Sequence, residues 1–482
     1  MITSNPFDDD KLHEECGVFG IFGVPDSGTL TALGLHALQH RGQEAAGLVC
    51  FDGQQFHAHR ALGLVSEVFS DERETAKLQG YAAIGHNRYA TTGATVLRNV
   101  QPLFAELEFG GFALGHNGNL TNAAALRREL VRRGSLFQST MDTEVIIHLV
   151  ATSQAGSVAD RLIDSLRQVE GAYSLVALTH EGVIGVRDPL GVRPLILGRL
   201  NDGYILTSES CALDIIGAEF LRDVDPGEMV ILSAEGITSR RIAPALPQRH
   251  CIFEYIYFAR PDSVMEGRSI YDARQRIGAE LARESGVPAD VIVPVPDSGV
   301  PAALGYAEAA GIPFEFGIIR NHYVGRTFIQ PTQQIRDLGV RRKHNANRPK
   351  LAGKRVVLVD DSIVRGTTSR KIVEMVRSAG ATEVHMRIAA PPTTHSCFYG
   401  VDTPEREELL ASKMTVEEMG RYIGVDSLAF ISLDGLYRAM GEPGRDPALP
   451  RFCDACFTGD YPTRLTDREG KVARQLSLLA EA

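Results

Sequence analysis

The stretch from Arg355 to Gly380, RVVLVDDSIVRGTTSRKIVEMVRSAG, constrains the fold more than any other part of the chain. Val356 to Val359 is an unbroken apolar run, which suits a strand buried on both faces. Two carboxylates, Asp360 and Asp361, close it. After the loop at 362–368, Ile372, Val373 and Val376 recur at helical spacing and Gly380 ends the pattern. Strand, loop and helix in this order form part of a parallel α/β sheet, which binds ligands at the carboxyl ends of its strands. DVIVPVPDSG (290–299) and EVHMRIAAPP (383–392) repeat the strand signal. A Gly-Thr-Thr helix start alone reads as an N-cap beside a solvated turn. Behind a strand-fixed acidic pair it suits a sugar phosphate instead. Loop amides and hydroxyls take the phosphate, and the carboxylates take vicinal hydroxyls or a metal.

Upstream the pattern differs. Between Cys16 and about Ile242, short β-like runs such as GVFGIFG, AAGLVCF and GGFALGHNGNL are broken by Gly and Asn, with helices expected in NAAALRRELVRRG and MDTEVIIHLVATS. That pattern predicts packed antiparallel sheets flanked by helices. The 482 residues therefore divide into a first domain at 16–242 and a second at 243–464, with the join inside 237–263. Residues 465–482 read as a tail, at best a surface helix.

A net charge of −10 argues against a nonspecific nucleic-acid binder, and no apolar run is long enough to span a bilayer. The acidic N-terminus lacks a secretory signal, so a cytoplasmic location with reduced thiols is expected. Seven cysteines then read as nucleophile, metal ligand or core, not as a disulfide framework.

Cys16 opens the apolar run of HEECGVFGIFG. It is either a small core side chain or, once residues 1–15 are removed as a propeptide, an N-terminal nucleophile. In the second case its α-amine, with a pKa of about 8, serves as base for its own thiol. A thiol attacking an amide needs donors for the oxyanion, and Asn117 with the amide of Gly118 meets that need. Arg88 suits a substrate carboxylate and Asp142 a substrate ammonium. Each has a duller reading: Asn-Gly-Asn as a turn, Asp142 as a helix N-cap, Arg88 in a surface pair.

VLVDDSIVRGTT resembles the phosphoribosyl-pyrophosphate signature of the type I phosphoribosyltransferases. The resemblance implies that Asp360 and Asp361 contact the ribose hydroxyls and that Ser362, Arg365, Gly366, Thr367 and Thr368 cradle the 5-phosphate. It makes Asp297, Ser298 and Gly299 the pyrophosphate loop and places Mg2+ near Ser298, Asp360 and Asp361. NHYVGRTFIQPTQQIRDLGVRRKH, by itself a charged surface loop, resembles that family's mobile flap, which includes Tyr323 and has Arg326, Arg341, Arg342 and Lys343 available to balance pyrophosphate charge. In the first half, CGVFGI, HRGQEAAG, GHNRYATTG, HNGNL and DTE follow the order of the N-terminal-nucleophile glutamine amidotransferases. This resemblance assigns Cys16, Asn117 and Gly118 to catalysis and Arg88 and Asp142 to glutamine. Asn87 and Met141 depart from the pattern without removing a group the chemistry requires.

Both signatures in one chain resemble the family of glutamine phosphoribosylpyrophosphate amidotransferases. The resemblance implies an αββα sandwich followed by a parallel α/β sheet. It implies conversion of glutamine and phosphoribosyl pyrophosphate to phosphoribosylamine at the start of purine synthesis, with ammonia passing through an internal channel. Purine-nucleotide feedback and a homotetramer are implied as well. A glutaminase joined to a sugar-phosphate isomerase would lack the acidic pair before Gly-Thr-Thr. A nucleotide-sensing regulator would tolerate loss of Cys16 and bring a basic DNA-binding module.

Of the remaining cysteines, Cys50 and Cys211 lie in apolar surroundings and read as core. Cys453 and Cys456 form a C-x-x-C: a redox pair, half a zinc site, or an accident. With Cys251 and Cys397 they supply four thiolates, which suit zinc or an iron–sulfur cluster, and spacing does not separate the two. Resemblance to the propeptide-bearing subgroup implies a [4Fe-4S] cluster tying the interdomain stretch to the C-terminal region.

Overall fold

Strict alternation along Cys16–Phe22, buried at every position, generates the first layers. Val18 and Phe22 enter an apolar cluster with Ala113, Val176 and Leu232, whereas Phe19 and Ile21 join Leu35 and Leu38 on the opposite face. The computed structural model describes residues 13–14, 16–89, 96–321 and 344–469. Most of the leader, the flap residues Tyr323, Arg326, Arg341, Arg342 and Lys343, and the end of the tail lie outside the described residues.

Cys16–Phe22 is the central strand of a seven-stranded sheet, ordered Glu219–Asp223, Ile196–Leu200, Gly203–Thr207, Cys16–Phe22, Ala82–Arg88, Ala45–Phe51, Phe56–Leu62. A six-stranded sheet runs Gly236–Arg241, Glu228–Ser233, Val183–Arg187, Gly171–Leu178, Gly110–Leu120, Leu103–Leu107. Side chains of both sheets share the cluster around Val18, so the sheets stack face to face. Helix Ser27–Ala37 covers the outer face of the first, and helices Thr143–Thr152 and Val158–Leu166 cover the second through Ile146, Ile147, Val150 and Leu162. The result is an αββα sandwich.

The second half holds a four-stranded parallel sheet, ordered Val291–Pro294, Arg355–Asp360, Glu383–Ile388, Ser427–Phe430. Val356 to Val359 are fully buried, and Ile372, Val373 and Val376 are the apolar buried residues of helix Thr367–Ser378. Helices Ile270–Ser285 and Val300–Ala310 approach closely at Gly278 and Gly305, where an added Cβ would lie 1.8 Å and 1.9 Å from the backbone carbonyls of Ala302 and Gln275.

Other features carry no periodic signature. Glu254–Phe258 forms a π-helical turn. His250–Cys251 pairs in parallel with Phe452–Cys453. In the tail, Thr466–Glu469 is helical, and the Asp467 carboxylate accepts from the amides of Ala124 (2.8 Å) and Ala125 (3.0 Å). It thereby caps helix Ala123–Arg132 of the first half, where free amides attract a carboxylate.

Candidate functional site

Antiparallel pairing sets Cys16 directly opposite Arg88, and both are almost wholly buried. Period two puts Cys16 on the face of Val18, and Arg88 on the face of Ala82 and Ile84, toward the second sheet. Asn117 shares the inward face of its strand with Ala113. Ser208 joins the two sheets at this end: its hydroxyl accepts from the Val18 amide (3.0 Å) and the Asn117 amide side chain (3.5 Å). The buried Asn117 Oδ1 lacks a hydrogen-bond partner among the described residues. Gly118 has φ +138°, and a Cβ there would lie 2.1 Å from the Ala172 carbonyl oxygen, so the position requires glycine. Asn87 faces away from this site and donates to the Leu35 carbonyl (2.7 Å).

Asp142 is the N-cap of helix Thr143–Thr152, accepting from the amides of Thr143 (2.9 Å) and Leu120 (3.0 Å), with His116 Nδ1 at 3.7 Å. Burial works to raise its carboxyl, but His116 and the backbone donors outweigh it and hold it below its ordinary range. The capping role is therefore real, and it also fixes a buried anion beside the Asn117 strand. His86 is buried and pushed down to about 3, chiefly by burial, so it is a neutral ring whose Nε2 donates to the His116 carbonyl (3.0 Å). Sequence reading passed over His86, His116 and Ser208. His86 was within reach of it, because it lies two residues before Arg88 on the same strand face.

In the HRGQE turn, a Cβ on Gly42 would lie 2.6 Å from the Arg88 amide nitrogen. The neighbouring Arg41 is fully buried, pairing with Glu209 and with Glu254 (2.8 Å), and Arg193 also reaches Glu254 (3.1 Å). Burial alone would lower the Arg41 guanidinium, but the two carboxylates hold it above its usual value. The turn behind Arg88 is thus anchored on the junction between the halves.

The second site forms at the carboxyl ends of the parallel strands. Asp360 ends its strand, Asp361 follows, and both are buried. The Asp360 carboxylate accepts from the Asp361 amide (2.9 Å). Asp361 accepts from the hydroxyls of Ser298 and Ser362 (2.6 Å for Ser362), which brings the two loops together. A Cβ on Gly299 would lie 2.4 Å from the Val359 carbonyl, so the 297–299 turn sits flush against the strand end. Gly366 takes φ +78° before Thr367, which aims the first amides of helix Thr367–Ser378 at the loop concavity. Asp297 pairs with Arg320 and Arg365 with Glu408 (2.8 Å). Arg274, buried and pushed down to about 10 by desolvation, feels the Asp361 charge. Sequence reading missed it. A hydroxyl and two carboxylates at one strand end form an oxygen donor set suited to a hard divalent cation.

Cys251 and Cys453 stand opposite each other in their short parallel ladder, and Cys456 follows on the next turn. Burial and then neighbouring cysteines raise Cys453 and Cys456 far above the ordinary thiol range. Cys251 is pushed up to about 12, mainly by burial, with Cys397 contributing. The Thr394 and His395 amides donate to the Cys456 carbonyl (3.0 and 3.1 Å), bringing the Cys397 segment to the Cys251–Cys453 ladder, where a bound cationic centre would stabilise the thiolate forms. Among the described residues no group of three or more His, Cys, Asp or Glu side chains is drawn to metal-binding spacing. Cys50 and Cys211 are core residues, Cys50 pushed up to about 12 by burial.

The glutamine amidotransferase domain family matches residues 86–214, and the phosphoribosyl transferase domain family matches residues 262–395. An amidophosphoribosyltransferase of Rhizobium etli is 58% identical over 99% of this chain and 98% of its own. The chain belongs to the amidophosphoribosyltransferase family. The Bacillus subtilis amidophosphoribosyltransferase is 51% identical over 94% of this chain and 95% of its own. The solved glutamine phosphoribosylpyrophosphate amidotransferase of that organism, complexed with ADP and GMP, superposes with a TM-score of 0.89 at 50% identity, covering 93% of this chain and 98% of its own.

Proposed function

We propose that this chain converts glutamine, phosphoribosyl pyrophosphate and water to 5-phosphoribosylamine, glutamate and pyrophosphate, the step that commits phosphoribosyl pyrophosphate to purine synthesis. The observation that carries this reading is near-full-length kinship with amidophosphoribosyltransferases in a chain holding two separately built sites. With residues 1–15 removed, the Cys16 amine takes the proton of its own thiol and the thiolate attacks the glutamine amide. Arg88 and Asp142 hold the α-carboxylate and α-ammonium. Asn117 and the Gly118 amide receive the oxyanion, ammonia leaves, and water releases glutamate from the thioester.

Ammonia then attacks C1 of the ribose, displacing pyrophosphate with inversion. Asp360 and Asp361 hold the ribose hydroxyls, Ser362 and residues 365–368 hold the 5-phosphate, and residues 297–299 receive the pyrophosphate. Mg2+, held by Ser298, Asp360 and Asp361, supplies charge neutralisation for the leaving group. Cys251, Cys397, Cys453 and Cys456 hold a [4Fe-4S] cluster that fixes the junction between domains 16–242 and 243–464. ADP and GMP accompany the solved relative, which supports purine-nucleotide feedback here. A homotetramer and a cytoplasmic location complete the proposal; among the described residues, no helix is long and apolar enough to cross a membrane.

Purified protein beginning at Cys16 tests this reading. Supplied with both substrates it should release glutamate and pyrophosphate one for one, with neither formed at full rate when one substrate is withheld. Glutamate release without pyrophosphate when both substrates are saturating would refute it.

A further inference from the structure

The turn at Ser396–Gly400 reaches out of the second half and lies against the strand that carries Asn117 and Gly118. Its own bonds make it stiff. The Cys397 amide donates to the Thr403 hydroxyl (2.7 Å), the Ser396 hydroxyl to the Pro404 carbonyl (2.8 Å), and the Tyr399 amide to the Cys397 sulfur (3.4 Å). At its tip the Phe398 carbonyl accepts from the Asn119 side chain (3.0 Å). Gly400, with φ +105°, is closer still: a Cβ there would lie 2.9 Å from Gly118 Cα and 3.2 Å from Gly118 C. On its other side Gly118 is pressed against the Ala172 carbonyl. The next two residues, Val401–Asp402, pair antiparallel with His13–Glu14, two positions ahead of Cys16. One short segment therefore touches both the strand bearing the proposed oxyanion donor and the chain entering the nucleophile.

We infer that Gly400 is a positioning residue for the Gly118 amide, so that the second half of the chain completes the oxyanion site of the first. The inference rests on the reading of Cys16, Asn117 and Gly118 given above. Its physical basis is tolerance. A preorganised donor works only within about 2.7–3.1 Å of the developing oxyanion, and a displacement of about 1 Å lowers turnover by roughly 100-fold. Ordinary carbon–carbon contacts lie at about 3.5–4.0 Å. A methyl group at position 400 must therefore move Gly118 by roughly 0.6–1 Å, or move itself away with the whole turn. Arg88 lies on another strand and Asp142 is held as the N-cap of helix Thr143–Thr152, so substrate binding should survive while the oxyanion loses its donor.

The test compares Gly400→Ala, Asn119→Ala and Cys16→Ala with the parent protein. Rates are counted per chain shown by intact mass to begin at residue 16. Glutamate release with phosphoribosyl pyrophosphate saturating should fall about 100-fold in kcat for Gly400→Ala. The glutamine KM should stay within twofold and ammonia-dependent pyrophosphate release should be unchanged. Asn119→Ala, which removes the bond to Phe398 together with a longer one to the Leu120 carbonyl (3.4 Å), should lower the same kcat about fivefold. The inference is overturned if kcat for Gly400→Ala stays within threefold, if KM carries the loss, or if ammonia-dependent transfer falls in step. If Gly400→Ala gives no processed soluble protein, Asn119→Ala decides, and an unchanged kcat overturns the inference. Cys16→Ala separates the two levels: glutamate release surviving there refutes the underlying reading, whereas its loss beside a normal Gly400→Ala refutes this inference alone.

Discussion

Glu254→Gln should be among the most damaging single-atom changes in the chain. Its carboxylate sits fully buried between two fully buried guanidiniums, those of Arg41 (2.8 Å) and Arg193 (3.1 Å), with Glu209 as the other anion of the group. The amide keeps the shape and some hydrogen bonds but leaves two buried cations facing one carboxylate. Removing one partner from a buried ion pair costs about 3–5 kcal/mol, because the orphaned charge stays out of water. For a cooperative unit of 150–250 residues each kcal/mol moves the melting temperature by roughly 2–4 °C, so a loss on the order of 10 °C is expected. The lesion is also functional. Arg41 anchors the turn whose Gly42 abuts the Arg88 amide, so the glutamine KM should rise several-fold while ammonia-dependent transfer holds below the new melting temperature. Calorimetry and steady-state glutamate release check both parts. A melting shift under 2 °C with an unchanged KM would show that the network neither stabilises the junction nor steadies Arg88.

Asp360→Asn and Asp361→Asn should each lower phosphoribosyl transfer by at least about 100-fold with glutamine or ammonia as nitrogen source, since both carboxylates lie at the strand end where the ribose is proposed to bind. Unchanged ammonia-dependent pyrophosphate release in both variants would remove them from the site. Asp223 gives a pH signature: burial, then Glu266, raises its carboxyl from 3.8 to about 6. The folded state thus holds that proton more tightly, and the contribution is full below about pH 3.8 and lost as pH rises through 6. Asp223→Asn should therefore raise the melting temperature at pH 7.5 and leave it nearly unchanged at pH 4; a fall at pH 7.5 would show the carboxylate to be stabilising. Cys453→Ser should lower iron content and visible absorbance in protein purified without oxygen, and full iron content would exclude Cys453 as a ligand.

What could be read from the sequence was whatever lies close together along it. Asp360, Asp361 and the Gly-Thr-Thr helix start are neighbours on one strand and loop, so a buried run followed by charge was enough to find them. A short apolar run broken by glycine located the Cys16–Phe22 strand in the same way. The contact of Ser298 with Asp361, 63 residues apart, becomes visible only when two parallel strands are laid side by side. Arg41 meets Glu209 across 168 residues and Glu254 across 213, and nothing in HRGQE marks its arginine as buried. Gly400 reads as an ordinary turn glycine until its partner, Gly118, is known. The tail shows the same limit, because Asp467 looks solvated in LTDREG and becomes a cap only when the amides of Ala124 and Ala125 arrive from the other half. Glu254–Phe258 escaped for another reason: a π-helical turn follows neither a period of two nor one of 3.6.

The division of labour between the two halves is the central claim, and Cys16→Ala tests it most directly. The variant should be assayed for pyrophosphate release from phosphoribosyl pyrophosphate, once with glutamine and once with ammonium salt at a pH that supplies free ammonia. Loss of the glutamine-dependent rate to background, with the ammonia-dependent rate within about twofold of the parent, is the predicted result, because the described residues proposed to bind the ribosyl substrate lie beyond Gly286, with Arg274 beside them. Equal loss of both rates, or a glutamine-dependent rate that survives, would contradict it.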